Sequence, residues 1–248
     1  MLLLALAIAP GIAVCLLIWS LHHMGKASMR PMITSFVLGA AATLPALAIQ
    51  LLSEDVRNEP WRHSILSYIW YAFGVVALSE EGSKFLVLRF YAYPRAIFRE
   101  PFDGVVYGVA IGMGFATVEN IEYILQFGLE TGVSRFFLAI PAHAAFAVLM
   151  GYAVGRAKFE ARRPFLLMAK GLALAVLFHG SFDFFLFLQQ NREVTRHLST
   201  GVLSFGAFAT FYIAVRLAMR ALRMHQAARE EAAENDQPFK PQQREKDG

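Results

Sequence analysis

The chain has 248 residues, of which 56% are hydrophobic and 17% charged, with a mean hydropathy of +0.45. An ordinary soluble domain carries about 25% charged residues, so this composition excludes one and indicates an all-α polytopic membrane helix bundle. The net charge of +4 is modest and its excess lies in loops beside apolar runs, which excludes nucleic-acid binding as its purpose.

The spans are taken in order. Leu2 to Trp19 is the first, and no basic residue precedes its apolar core, so it reads as a span rather than a signal peptide. Its Cys15 is the only cysteine, which excludes an intrachain disulfide and a Cys-based zinc site. After the loop His22 to Arg30 comes the second span, Met32 to Leu52, with Pro45 as the expected kink. Ser53 to His63 is a polar loop. The third span runs from Ile65 to about Tyr91, with Arg89 placed to snorkel. A loop from Ala92 to Phe102 leads to Asp103, an expected N-cap for the fourth span, Val105 to Phe127. Gly108, Gly112 and Gly114 in that span allow close helix approach. The fifth span is Phe136 to Gly155, with Pro141 near its start, and the sixth is Leu166 to Leu188. Gln189 to Ser199 is a polar loop, and the seventh span is Thr200 to about Leu217.

This gives one membrane domain over residues 1–219 and a charged tail over 220–248, expected to be disordered beyond about Arg229. Alternate loops and the start of the tail hold twelve Lys and Arg, against five on the opposite side. The positive-inside rule therefore expects seven spans, an outside N-terminus and a cytoplasmic C-terminus.

The third span contains Glu80-Glu81-Gly82-Ser83-Lys84. A charge at the centre of a span costs about 2.5–3.5 kcal/mol on insertion scales, so such residues face the protein interior and are functional candidates. Glu80 and Lys84 share a helix face at a spacing of four and are expected to pair. Glu81 points about 100° away, which leaves it free for chemistry. The bland alternative is an ion pair that only packs helices. The fourth span carries Phe115-Ala116-Thr117-Val118-Glu119-Asn120, the fifth His143, and the sixth His179-Gly180-Ser181-Phe182-Asp183. Asp183, one turn from His179, is placed to orient its imidazole. At about 1.5 Å per residue, Glu80, Glu81, Glu119, His143 and His179 all fall in the middle half of a ~30 Å hydrocarbon core. For each there is a bland reading: His143 as a hydrogen-bonded bundle residue, Glu119 bonded only to backbone or Asn120, Phe115 as packing that shields the site.

Two carboxylates and two histidines suit activation of water against an amide, with a buried glutamate as general base. Imidazole N–H groups or Asn120 would serve the oxyanion. Alternatively, Glu119, His143 and His179 would bind a divalent metal such as zinc, whose bound water is the nucleophile. No HExxH stretch marks such a site. A proton- or ion-coupled transporter and a non-catalytic scaffold or immunity protein are the other readings of the same constellation.

The EExxK stretch Glu80 to Lys84, the FxxxE stretch Phe115 to Glu119, His143, and the pair His179 and Asp183 together resemble the PrsW family of bacterial intramembrane proteases. Phe102-Asp103-Gly104-Val105-Val106-Tyr107-Gly108 fits the same family. The likeness covers about residues 70–185. It extends distantly to the CPBP superfamily, which includes the CaaX prenyl endopeptidases. Those have Arg after the glutamate pair and His in the second motif, so the resemblance does not imply prenylated substrates. It implies an endopeptidase of the bacterial inner membrane acting on a membrane-anchored protein, with an anti-sigma factor in site-1 proteolysis as the best-known case. It also implies Glu80, Glu81, Glu119, His143 and His179 as catalytic, with Lys84, Phe115, Asn120 and Asp183 supporting. The kinship favours glutamate-type catalysis, and the purified protein is expected to carry no stoichiometric zinc.

Overall fold

A computed structural model describes residues 2–23, 29–53, 64–159 and 162–234. The expected polar loop after Ser53, most of the loop His22 to Arg30, and the tail from 235 onward lie outside the described residues. Every regular element among the described residues is helical.

Helix α1 is Leu2–His23. The second expected span is two helices, α2 (Arg30–Ala41) and α3 (Thr43–Leu52). Pro45 has no N–H to give the Ala41 carbonyl, and the helix breaks there, as expected. Helix α4 covers residues 65–92 without interruption, but its pitch changes along the way. Ser64 caps it by accepting a hydrogen bond from the Ser67 N–H. Ile65–Ile69 is α-helical, Trp70–Ala77 π-helical, Leu78–Val87 α-helical again and Leu88–Ala92 π-helical. The Glu80 turn thus sits between two π-helical stretches, a rare geometry that concentrates at functional sites.

Helix α5 is Asp103–Phe127. Asp103 is its first helical residue and not its N-cap, contrary to expectation. Its Oδ2 instead accepts from the backbone N–H of Arg99 (2.6 Å) and Glu100 (2.9 Å), closing the turn before the helix. Gly128, at φ 82°, then reverses the chain into α6 (Leu129–Phe137). The expected start of the fifth span at Phe136 falls inside α6, and the long helix α7 begins at Ala139 and ends at Phe159. Helix α8 is Pro164–Leu188. The expected loop Gln189 to Ser199 contains a short helix, α9 (Arg192–His197), capped by the Asn191 side chain. Helix α10 (Thr200–Glu234) continues well past Leu217.

Six described stretches are long and apolar enough to cross a membrane: Leu4–Leu21, Arg30–Leu52, Asp103–Phe127, Leu129–Phe159, Pro164–Leu188 and Thr200–Ala227. Helix α5 is the axis of the bundle, packed by α1, α2 and α7, with α8 and α10 beyond α7. Glycine permits this. A Cβ on Gly151 of α7 would strike the Gly104 carbonyl of α5, and one on Gly114 of α5 would strike the Phe36 carbonyl of α2. In lipid, helices associate through such close van der Waals approach. The core is accordingly small and apolar here: Val105, Val109, Ala110, Ala145 and Ala147 are all buried.

Candidate active site

The polar residues collect where α4 and α8 meet α5 and α7. On α4, Glu80 is 5% exposed, Glu81 1% and Lys84 1%. Lys84 stands four residues from Glu80 and three from Glu81, and both spacings bring side chains together on a helix. The expected Glu80 pair is present, and a shorter one to Glu81 stands beside it. Lys84 Nζ lies 2.7 Å from Glu81 Oε1 and 3.4 Å from Glu80 Oε2, so Glu81 is the firmly held carboxylate. The face of Phe115 covers the ammonium, with its centroid 4.1 Å away, in cation–π contact.

Helices α5, α6 and α7 build a second unit. Glu119 Oε2 lies 2.9 Å from His143 Nε2, and Glu119 Oε1 lies 3.0 Å from Arg135 Nη2. Glu119 therefore bonds neither to backbone alone nor to Asn120; it joins α7 to α6. Arg135 Nε donates to Asn120 Oδ1 at 2.7 Å, and its guanidinium stacks over Tyr123. His143 is thus not isolated, and its Nδ1 faces Lys84 Nζ at 3.3 Å. Since an ammonium only donates, Nδ1 accepts, which leaves the ring proton on Nε2, the nitrogen in contact with Glu119.

Helix α8 adds His179 and Asp183. His179 Nε2 lies 3.2 Å from Asp183 Oδ2, as the spacing predicts, and Nδ1 lies 2.9 Å from Glu81 Oε1. Phe146 stacks on its ring, and the two imidazoles meet edge to face at 5.2 Å. All five expected catalytic side chains therefore share one buried cluster.

A cavity of about 820 Å³ reaches this cluster. Glu80, Glu119, His143, His179 and Asp183 line it, with Glu81 and Lys84 behind Glu80. Asn120, expected as an oxyanion donor, is likewise behind the wall, 1% exposed and engaged by Arg135. The cavity runs up past Ser53, Tyr68, Phe127 and Gln190, all at one end of their helices.

Two residues of the site were not foreseen. Gln50 of α3 donates from Nε2 to Glu80 Oε1 at 3.2 Å. As a polar residue inside an otherwise apolar span, it carried a signal that went unread. Arg135 is one of the five basic residues counted on the side opposite the basic loops, and nothing in the sequence shows that Gly128 folds α6 back onto α5.

Among the described residues, the donor atoms that stand close enough to share a metal belong to Glu80, His143 and His179, within 4.8 Å of one another. Glu80 thus replaces Glu119 in the expected set. Each ring nitrogen of the set already has a polar partner: Lys84 and Glu119 at His143, Glu81 and Asp183 at His179. Two of the three donors also contact the Lys84 ammonium. A ligating imidazole must present a free lone pair and an accessible cation site. The side chains as arranged offer neither.

The profile of the PrsW family intramembrane metalloprotease matches residues 27–224. The chain is 34% identical over 182 residues to Protease PrsW of Shouchella clausii, covering 73% of this chain and 81% of that protein. It is 35% identical over 185 residues to Protease PrsW of Bacillus subtilis (72% and 80%), and 31% identical over 190 residues to that of Geobacillus kaustophilus (76% and 81%). No solved structure matches the chain. The motif cluster, the helical membrane architecture and these relatives agree: the chain belongs to the PrsW family of intramembrane proteases.

Proposed function

We propose that Glu80 is the general base of this intramembrane protease and that the reaction proceeds without a metal. One observation carries the reading: of the adjacent carboxylates, Glu80 lines the cavity, whereas Glu81 is tied behind it to Lys84 and His179. Glu80 takes a proton from water as the hydroxide oxygen bonds to the peptide carbonyl carbon. The carbonyl oxygen becomes an oxyanion, whose charge the positive ring of His179 offsets from beside it. Carboxylate oxygens at both its ring nitrogens support an imidazolium there. The tetrahedral intermediate collapses as the C–N bond breaks, and the proton on Glu80 passes to the leaving nitrogen, giving an amine and a carboxylic acid. Glu119 and Arg135 orient His143, and Glu81 and Asp183 orient His179. The family's description names a metal. No step here is routed through one, because the ring nitrogens and the ammonium do not fit it.

The substrate in this reading is a membrane-anchored protein, with an anti-sigma factor undergoing site-1 cleavage as the leading class, and the site of action is the bacterial inner membrane. The cavity rises to the helix ends at Ser53, Phe127 and Gln190, the side to which the scarcity of basic loop residues assigns the exterior. Residues 65–92 add a further crossing, third in chain order, to the six, the catalytic domain spans 1–219, and the tail 220–248 is cytoplasmic. A reporter after Arg223 reads cytoplasmic and one within 189–199 external; reversed signals defeat the orientation. For the function, membranes of cells carrying the wild-type chain or Glu80→Gln are compared by quantitative proteomics. A membrane-anchored protein that accumulates uncleaved only with Glu80→Gln is expected. Identical cleavage patterns would remove Glu80 from the chemistry.

A further inference from the structure

Among the largest fully buried side chains of the described residues is a cation at the centre of the active site. Lys84 Nζ touches Glu81 Oε1 (2.7 Å), Glu80 Oε2 (3.4 Å) and His143 Nδ1 (3.3 Å), under the ring of Phe115. Two carboxylate oxygens and one imidazole nitrogen are a set of ligand atoms, of the kind that binds zinc in proteins. Here they surround an ammonium.

We infer that Lys84 is the resident cation of the active centre, occupying with its ammonium the place a divalent ion would otherwise take, so that losing this one side chain opens Glu80 and His143, beside His179, to a metal ion. The inference rests on the metal-free reading of the reaction and extends it to a specific residue. Three facts carry it. The cluster holds four carboxylates, Glu80, Glu81, Glu119 and Asp183, against the fixed charges of Lys84 and Arg135, so it needs Lys84 for charge. Removing the ammonium frees the lone pair of His143 Nδ1 and Glu80 Oε2 together, while Glu81 Oε1 keeps its contact with His179. His143 stays oriented throughout, because its other nitrogen is held by Glu119, the outer-shell arrangement typical of a ligating histidine. Lysine and metal are thus alternative solutions to one electrostatic problem. The ammonium has a further advantage: it reaches the site on a helix of its own chain and needs no supply of ions.

The test is metal content and thermal unfolding of the purified full-length chain in detergent, for wild type, Lys84→Met and Lys84→Arg. Each is incubated with Co²⁺ or Zn²⁺ and desalted. Wild type and Lys84→Arg are expected to retain no stoichiometric ion and to show no shift of Tm. Lys84→Met is expected to retain about one ion per chain, with a Co²⁺ visible absorption band and a raised Tm, since an ion that binds only the folded state stabilises it. Adding His143→Ala to Lys84→Met should abolish retention. Lys84→Met is purified both with and without Co²⁺; better recovery with Co²⁺ supports the inference, and failure to recover it with Co²⁺, or to load it, overturns the inference. So does a stoichiometric ion in wild type. None of these readouts uses proteolysis, and wild-type cleavage after chelation is measured separately. Cleavage lost to the chelator and restored by a divalent ion would defeat the metal-free reaction itself.

Discussion

The two sides of the bundle are joined by opposite means. Where α5 meets α2 and α7, glycines bring backbone against backbone and buried side chains are small and apolar. Where α4 and α8 close over the same α5–α7 pair, the contact is made by charges: Glu80, Glu81, Lys84, His179 and Asp183. The first side depends on shape and tolerates no added volume. The second depends on every charge having its counterpart. The comparison teaches how a membrane enzyme keeps costly polar groups in register: a close-packed scaffold fixes Glu119 and His143, and the α4 and α8 charges assemble against them.

The comparison breaks most visibly at Lys84. Lys84→Ala strips the partner from a buried carboxylate, which costs about 3–5 kcal/mol. Both abundance and cleavage should fall, by immunoblot and by turnover of a membrane-anchored substrate. On the other side, Gly151→Val forces a side chain into the Gly104 backbone. Overpacking of this kind costs about 1–3 kcal/mol or more. Abundance should fall while the surviving protein keeps its cleavage rate per molecule, and a lowered rate per molecule would show that the scaffold also tunes the site.

Smaller changes sharpen the contrast. Arg135→Gln removes one of the two partners of the Glu119 carboxylate and leaves the other. A loss of about tenfold in kcat is expected, equivalent to about 1.4 kcal/mol, with KM little changed. A change confined to KM would make Arg135 a substrate contact instead. Gln50→Leu removes a single hydrogen bond to Glu80, with a net worth of about 0.5–1.5 kcal/mol. Cleavage should fall about twofold to tenfold, by the same conversion. No change would show that water replaces the amide at no cost.

Much of the site was legible because helix periodicity is regular. His179 and Asp183 pair as their spacing requires, and the depth of each ionisable residue along its span placed the five acids and imidazoles in one layer. The apolar runs likewise marked the membrane helices, and Pro45 marked the break in the second. What failed was the choice between alternatives that periodicity leaves equal. Lys84 is in reach of both glutamates, and the selection of Glu81 is made by His179, from a helix far along the chain. Arg135 enters through the reversal at Gly128, whose direction is a tertiary fact. Asp103 looked like a cap because its type suits one, yet the peptide groups it serves lie upstream. The π-helical stretches around the Glu80 turn left no pattern in hydrophobicity at all.

The central claim is that neighbouring carboxylates on one helical turn divide the work, Glu80 reacting and Glu81 holding. It is tested most directly by initial rates of substrate cleavage with purified Glu80→Gln and Glu81→Gln, normalised to folded protein by size-exclusion chromatography. The account predicts that Glu80→Gln is recovered at wild-type yield and cleaves about 10²–10⁴-fold more slowly, the usual worth of a general base. Glu81→Gln should instead be recovered poorly, because it unpairs Lys84. Glu80→Gln that cleaves at nearly the wild-type rate, beside a well-folded and inactive Glu81→Gln, would contradict the account and exchange the two roles.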